Sequence, residues 1–397
     1  MIIHIQSLES VDNTRSRWGK FVPWLVIGTL LNSVVFVLLF HSFNLSGTSL
    51  YIYVSVMYIL YGMTYTIMDV PYWSWLPNLT NDPHERESVS VIPRFFASLA
   101  GFSIGVFGLS MINGMDKIFG NGDRTAGFRM VALVISILFV FTISVTIINV
   151  KEKVTEKAAE HTSFKQIINI LFKNKQLIAY IGLLLAYNLC MQIVNGIIIY
   201  YFKYVAGKEG LFSIFSVCIL AEMGGLVVFP KIVKKLGREK MFAMACTFPI
   251  IGLIIIAVAG FVAPTNPLFV ILGAGILKLG SGFELGVVTV CIADVIDYNE
   301  LLFGTRNESI ICSTQTFLMK ASQAVSGLLT GVGLAMVGYN ASLPQQSTAT
   351  LNGIRIIMIV IPMVFAVISY LIYAKAYKLK GDYLNNMVKE LNVVHEA

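Results

Sequence analysis

The chain is predicted to be an all-α integral membrane protein of about ten transmembrane helices. Three observations carry this. Apolar residues make up 56% of the 397 positions and charged residues only 13%. Mean hydropathy is +0.75. The apolar residues also fall in runs of about twenty or more, the length needed to cross roughly 30 Å of hydrocarbon. In such a chain the net charge of +7 is read through where the basic residues lie, not as a nucleic-acid signal.

The expected spans, in order, are 21–40, 50–76, 93–115, 128–150, 177–201, 211–229, 241–262, 268–293, 309–337 and 351–374. Most connections are short. The long polar one, 151–176, carries Lys151, Lys153, Lys157, Lys165, Lys173 and Lys175 and reads as a cytoplasmic linker. It separates an amino-terminal bundle of four spans (1–150) from a carboxy-terminal bundle of six (177–376), with a cytoplasmic tail at 377–397. With the amino terminus inside, about 20 of the 29 Lys and Arg residues fall in cytoplasmic segments, as the positive-inside rule requires. Lys117, Arg124, Lys203 and Lys208 lie outside. Both termini are thus expected in the cytoplasm, in a cell membrane. Residues 1–12 lack a long apolar core and do not read as a signal peptide. The five cysteines sit in apolar runs without metal-type spacing, and the five histidines are scattered, so neither a metal site nor a cofactor is expected.

A weak repeat refines the architecture. Arg15-Ser16-Arg17-Trp18-Gly19-Lys20 and Lys234-Lys235-Leu236-Gly237-Arg238-Glu239-Lys240 are both short, basic, glycine-containing turns, six expected spans apart. Parallel six-helix halves around a midplane site are the plan of major facilitator transporters. There, such a loop joins the second and third helices of each half. The second turn obeys this, but the first has no span before it. The expectation is therefore a major facilitator fold in a four-plus-six arrangement, amino-terminally truncated by two helices.

Charges inside the apolar runs point to a site. Asp69 lies in Tyr65-Thr66-Ile67-Met68-Asp69-Val70-Pro71-Tyr72-Trp73-Ser74, deep in a span. A charge there costs about 3 kcal/mol or more unless it meets a partner or water. Pro71 removes a backbone donor from the same helix. Trp73 is one turn on. A ring beside a carboxylate suits a sugar, whose hydroxyls hydrogen-bond while its C–H face stacks, although a lone Trp also serves as an interfacial belt residue. Arg94, after Pro93, reads either as a site residue or as a snorkelling anchor. Lys320, about twelve residues into its span and preceded by Gln315 and Thr316, supplies a polar wall opposite Asp69 or a structural ion pair. Asp294 and Asp297 could bind a cation or close an inner gate by bridging to basic loops such as Lys231 or Lys234. Glu222, Lys278 and Glu284 are further intramembrane charges. Lys278 and Glu284 are six apart and face differently, which implies partners on other helices.

The sequence resembles the glycoside–pentoside–hexuronide:cation symporter family, and within it the melibiose carriers. The match runs through Thr-Arg-Ser-Arg-Trp-Gly-Lys-Phe (14–21), Gly-Met-Thr-Tyr-Thr-Ile-Met-Asp (62–69) and Pro-Arg-Phe-Phe-Ala-Ser-Leu-Ala-Gly (93–101). It continues in Ala293-Asp294, Asp297-Tyr298, Gln315-Thr316 and Lys320. The resemblance implies sugar transport by symport of a melibiose-like glycoside with Na⁺, Li⁺ or H⁺ through alternating access, in a monomer in the bilayer. It implies a sugar site of Tyr65, Asp69, Trp73 and Arg94, completed by Gln315, Thr316 and Lys320. Thr66 would be a cation ligand, and Arg86, Glu87, Asp294, Asp297 and Arg306 a cytoplasmic gate. Leu285 stands where melibiose carriers place a tryptophan, and Glu222 and Glu284 where uncharged residues are expected.

Two other readings stand beside the transporter. One is a transport-inactive remnant, or a sequence with a misplaced start. The other is an integral-membrane enzyme holding Mg²⁺ on Asp294 and Asp297, although such sites need more clustered acids than this pair. No phosphate-binding glycine loop is present, and no catalytic residues are assigned.

Overall fold

A computed structural model describes residues 16–19, 21–75, 83–120, 124–150, 173–304 and 308–396. Its long elements are all helical. They are α1 (Val22–Leu39), α2 (Gly47–Trp75), α3 (Pro83–Phe119), α4 (Arg124–Asn149), α5 (Lys175–Tyr200), α6 (Leu211–Val217) and α7 (Ile219–Leu236). They continue with α8 (Arg238–Val262), α9 (Pro267–Phe303), α10 (Glu308–Met336), α11 (Thr348–Arg355), α12 (Ile361–Lys375) and α13 (Gly381–Glu396). Wider π-type turns, Tyr201–Val205 and Ile356–Val360, extend α5 and join α11 to α12.

Among the described residues nine helices are long and apolar enough to cross a membrane. The tenth expected span is α10, 29 residues long and so about 43 Å. It is less apolar because Gln315, Lys320 and Gln323 interrupt the run, and Ser322, Ser326 and Thr330, at helical spacing, form a buried polar stripe. Two helices outrun their expected spans. α3 starts ten residues before Pro93, and α9 continues past Ala293, so Asp294 and Asp297 lie within a helix instead of at its end. Pro71 does not break α2, which runs on to Trp75. It removes the bond that its own nitrogen would give to the Ile67 carbonyl, yet the described residues on both sides stay helical. Residues 377–397, expected as a plain tail, contain α13, whose Met387 and Leu391 are buried.

The chain divides into two compact units, Met1–Ala159 and Glu160–Ala397, described separately here. In the amino-terminal unit α1 packs on α2 and α4, and α4 on α3. Its core is Phe21, Val22, Leu25, Met68 and Trp75. Gly28 permits the close approach of α2, since a Cβ there would stand 2.7 Å from the Met68 backbone nitrogen.

In the carboxy-terminal unit α9 is the axle. It packs on α5, α6, α7, α8, α10 and α13, while α12 closes against α5 and α8. Small residues set the distances. A Cβ on Gly282 would collide with the Glu222 carbonyl of α7, and one on Gly252 with the Gly273 carbonyl across the α8–α9 seam. Lipid tails are as apolar as leucine, so helices in a bilayer gain little by hiding apolar surface. Close van der Waals contact, which small residues allow, holds them instead.

Candidate functional site

In the amino-terminal unit α2 carries most of the expected site. Asp69 is 7% exposed and hydrogen-bonded to Tyr65, one turn earlier. Below them, Asn32 of α1 donates its Nδ2 to the Tyr61 carbonyl and to the Thr64 hydroxyl, both at 3.0 Å. This clasp ties α1 to the turn that precedes Tyr65. It fixes the rotation of α2 and thereby the direction in which Tyr65 and Asp69 are presented. Thr66 donates its hydroxyl to the Gly62 carbonyl at 2.8 Å, which leaves its oxygen lone pairs to act as ligands. Trp73 lies in α2, and Arg86, Glu87 and Arg94 lie in α3; their side chains are outside the described ones. A groove of about 600 Å³ between α1 and α4 is lined by Leu30, Val34, Val37, Ile137, Val140 and Phe141. Apart from Ser33 and Ser136 it offers a sugar nothing to hydrogen-bond, so it does not compete with the Asp69 face as a glycoside site.

In the carboxy-terminal unit α10 holds Gln315 and Lys320, both partly buried, with Thr316 helical beside them; the Thr316 side chain is outside the described ones. α10 packs on α5, with the Thr330 side chain lying close against Gly196. Arg306 lies outside the described residues.

The structure gives a partner to one of the expected gate residues. Asp294 pairs at 2.8 Å with Arg238, at the start of α8, and not with Lys231 or Lys234. The basic turn is the expected one, but α8 begins at Arg238, and the first helical turn aims that guanidinium along the seam to α9. The pair lies within one unit. It joins α8 to α9, and Tyr377, just past α12, separately donates to the Cys291 carbonyl of α9 at 3.3 Å.

Lys278 meets Glu222 of α7 at 3.3 Å, the partner on another helix that its spacing implied. Sequence reasoning missed two residues that organise these sites, Asn32 and Arg238. Asn32 is an amide inside the apolar run 21–40, a polar interruption of the same kind that exposed Asp69. Arg238 sat in a motif already singled out.

Residues 9–381 match the family described as MFS/sugar transport protein. The chain belongs to that family. Since that is a family of transport proteins, the Mg²⁺-enzyme alternative loses its ground. Curated relatives agree. The chain is 27% identical over 396 residues to a lactose permease of Lactobacillus helveticus, covering 96% of this chain and 61% of that one. It is 29% identical over 357 residues to an isoprimeverose transporter of Lactiplantibacillus pentosus, covering 89% and 73%. It is 27% identical over 391 residues to the inner membrane symporter YicJ of Escherichia coli (strain K12), covering 96% and 81%. The chain thus spans about three-fifths of the length of the first of these.

Among solved structures, the fold is similar to a bacterial homolog of the human lysosomal transporter Spinster. That match has a TM-score of 0.63 at 13% identity and covers 95% of this chain and 86% of that one. It is also similar to the transporter FucP in its outward conformation, with TM-score 0.54 at 12% identity, covering 95% and 87%. The major facilitator fold follows.

Proposed function

We propose that this chain is a secondary transporter that carries a glycoside across the cytoplasmic membrane by symport with Na⁺, Li⁺ or H⁺. The observation that carries the reading is a buried carboxylate, Asp69, presented with Tyr65 on a membrane-spanning helix of a sugar-transport family. A carboxylate accepts two sugar hydroxyls at once, which few uncharged groups can do. Asp69, Tyr65, Trp73 and Arg94 would hold the sugar from the amino-terminal unit, and Gln315, Thr316 and Lys320 from the carboxy-terminal one. Thr66 would serve the cation. Arg86, Glu87, Asp294, Asp297 and Arg306 would form the cytoplasmic gate. Rocking of the two units, biased by sugar and cation together, would give alternating access. Both termini are proposed to lie in the cytoplasm and the working form to be a monomer. Melibiose is the first sugar to try, with lactose and raffinose beside it.

The test is equilibrium binding and counterflow of these sugars in proteoliposomes, with Na⁺ or Li⁺ present and absent. Asp69→Asn is expected to weaken binding by about 100-fold or more, since each hydrogen bond to the charged carboxylate contributes about 1.5–3 kcal/mol. Unchanged affinity in that variant overturns the Asp69 assignment. Absence of binding and counterflow for every glycoside overturns the sugar reading itself.

A further inference from the structure

The carboxy-terminal unit holds an acid that neither the proposed sugar site nor the gate uses. Glu284 stands about 26 Å along α9 from Pro267, near the middle of that helix, and is 4% exposed. Its Oε1 is buried with no hydrogen-bond partner among the described residues. On either side of it the helices are in close contact, Gly282 against the Glu222 carbonyl and Gly286 against the Phe229 ring. The ionisable groups around it are Tyr187 and Cys190 of α5, Glu222 of α7, Cys246 of α8 and, along its own helix, Cys291. Of the other helices packed on α9, α6 has no ionisable residue, α10 carries Glu308, Cys312 and Lys320, and α13 carries Asp382, Tyr383, Lys389, Glu390, His395 and Glu396.

Charge counting narrows what Glu284 does. Lys278 is committed to Glu222 at 3.3 Å, and the charge that acts on Glu284 is the like-signed Glu222. With both acids ionised, one negative charge is left uncompensated in the middle of the unit, at a cost of several kcal/mol. A hard metal cation could neutralise it, but such ions need a shell of oxygen ligands. Here the neighbours are the thiols of Cys190 and Cys246, and a Tyr187 hydroxyl that already donates to the Ala245 carbonyl at 3.3 Å. A proton needs one oxygen.

We propose that Glu284 is a proton-binding site of the carboxy-terminal unit, separate from the Asp69 site. Its carboxylate takes one H⁺ from solvent to become a neutral carboxyl, and returns it by the reverse step. The use of that proton in coupling rests on the sugar-transport reading; the binding of it does not.

Infrared spectroscopy of the full chain in lipid, titrated with acid and base, tests the binding with the proton as the only probe. The expected result is a protonated-carboxyl carbonyl band that shifts in D₂O and is lost in Glu284→Gln. Should that variant fail to fold, Glu284→Asp is expected to move the band and not remove it. Absence of the band, its persistence in Glu284→Gln, or its removal by Na⁺ or Li⁺ at constant pH overturns the proposal. In proteoliposomes, Glu284→Gln is expected to keep lactose counterflow and lose uptake driven by a proton gradient. Retained proton-driven uptake overturns the coupling role. Loss of counterflow in the unmodified chain fails the sugar reading and leaves the band to be judged alone.

Discussion

In the carboxy-terminal unit, α9 and α5 bury 72% and 67% of their membrane-spanning windows, whereas α2 and α3 of the amino-terminal unit bury 6% and 11%. Both sets of helices are apolar, so hydropathy does not explain the contrast. Contact does. α9 is met on several sides at distances set by Gly225, Gly252, Gly273, Gly280, Gly282 and Gly286, whereas α2 is met that closely at Gly28 of α1 and α3 at Gly127 of α4, and their own Gly62, Gly101 and Gly114 face open space. Where lipid and side chain are equally apolar, packing density comes from places where a side chain is missing. The two units should therefore respond differently to the same kind of substitution.

The chain separates its own probes. All four tryptophans (Trp18, Trp24, Trp73, Trp75) lie in the amino-terminal unit and all five cysteines in the carboxy-terminal one. Tryptophan fluorescence thus reports on the first unit and thiol labelling on the second.

The largest effect is expected from Gly252→Leu, whose side chain would run into the Gly273 carbonyl and the Leu277 backbone. It should destabilise by more than about 3 kcal/mol, seen as early exposure of Cys246 to a thiol reagent on heating. Wild-type protection would break the contrast. Next comes Glu222→Gln, which leaves Lys278 buried without its counter-charge and should cost about 3 kcal/mol. The double variant Glu222→Gln/Lys278→Met should recover most of that in a thermal melt, and failure to recover would show that the pair is not the issue. Asn32→Leu removes the two bonds that clasp α1 to α2 and should cost about 1 kcal/mol, visible in the tryptophan signal and not in thiol labelling. Smallest is Gly101→Ala, in open space on α3, expected within about 0.5 kcal/mol of the parent. A large loss there would mean that α3 is closely packed around Gly101 after all.

How much of this could be read in advance depended on the kind of signal. Asp69, Lys278, Glu284 and Lys320 announce themselves because a charge in an apolar run is costly wherever the partner lies. The helices follow from the same runs, although the ends of α3 and α9 do not, since polar helical turns continue past the hydrocarbon without any change in backbone preference. Partners were less legible. That Lys278 needed a residue on another helix followed from spacing, but Glu222 became that residue only through the α7–α9 seam. Arg238 was hidden among four basic residues of one turn, separable only by where α8 begins. The glycines were visible as letters. Which of them mark contact depends on a second helix that no local pattern encodes.

The length of α9 has a mechanical consequence. At 37 residues it extends about 55 Å, well beyond the roughly 30 Å hydrocarbon layer. Its last turns must leave the lipid as an unbroken rod, carrying Asn299, bonded to Asn174 at 3.3 Å, and Tyr298, hydrogen-bonded to Tyr383 of α13. Any tilt of α9 inside the membrane is thereby transmitted to these contacts as from a lever to its handle. Displacement at the site and displacement at the water-exposed end are then one movement.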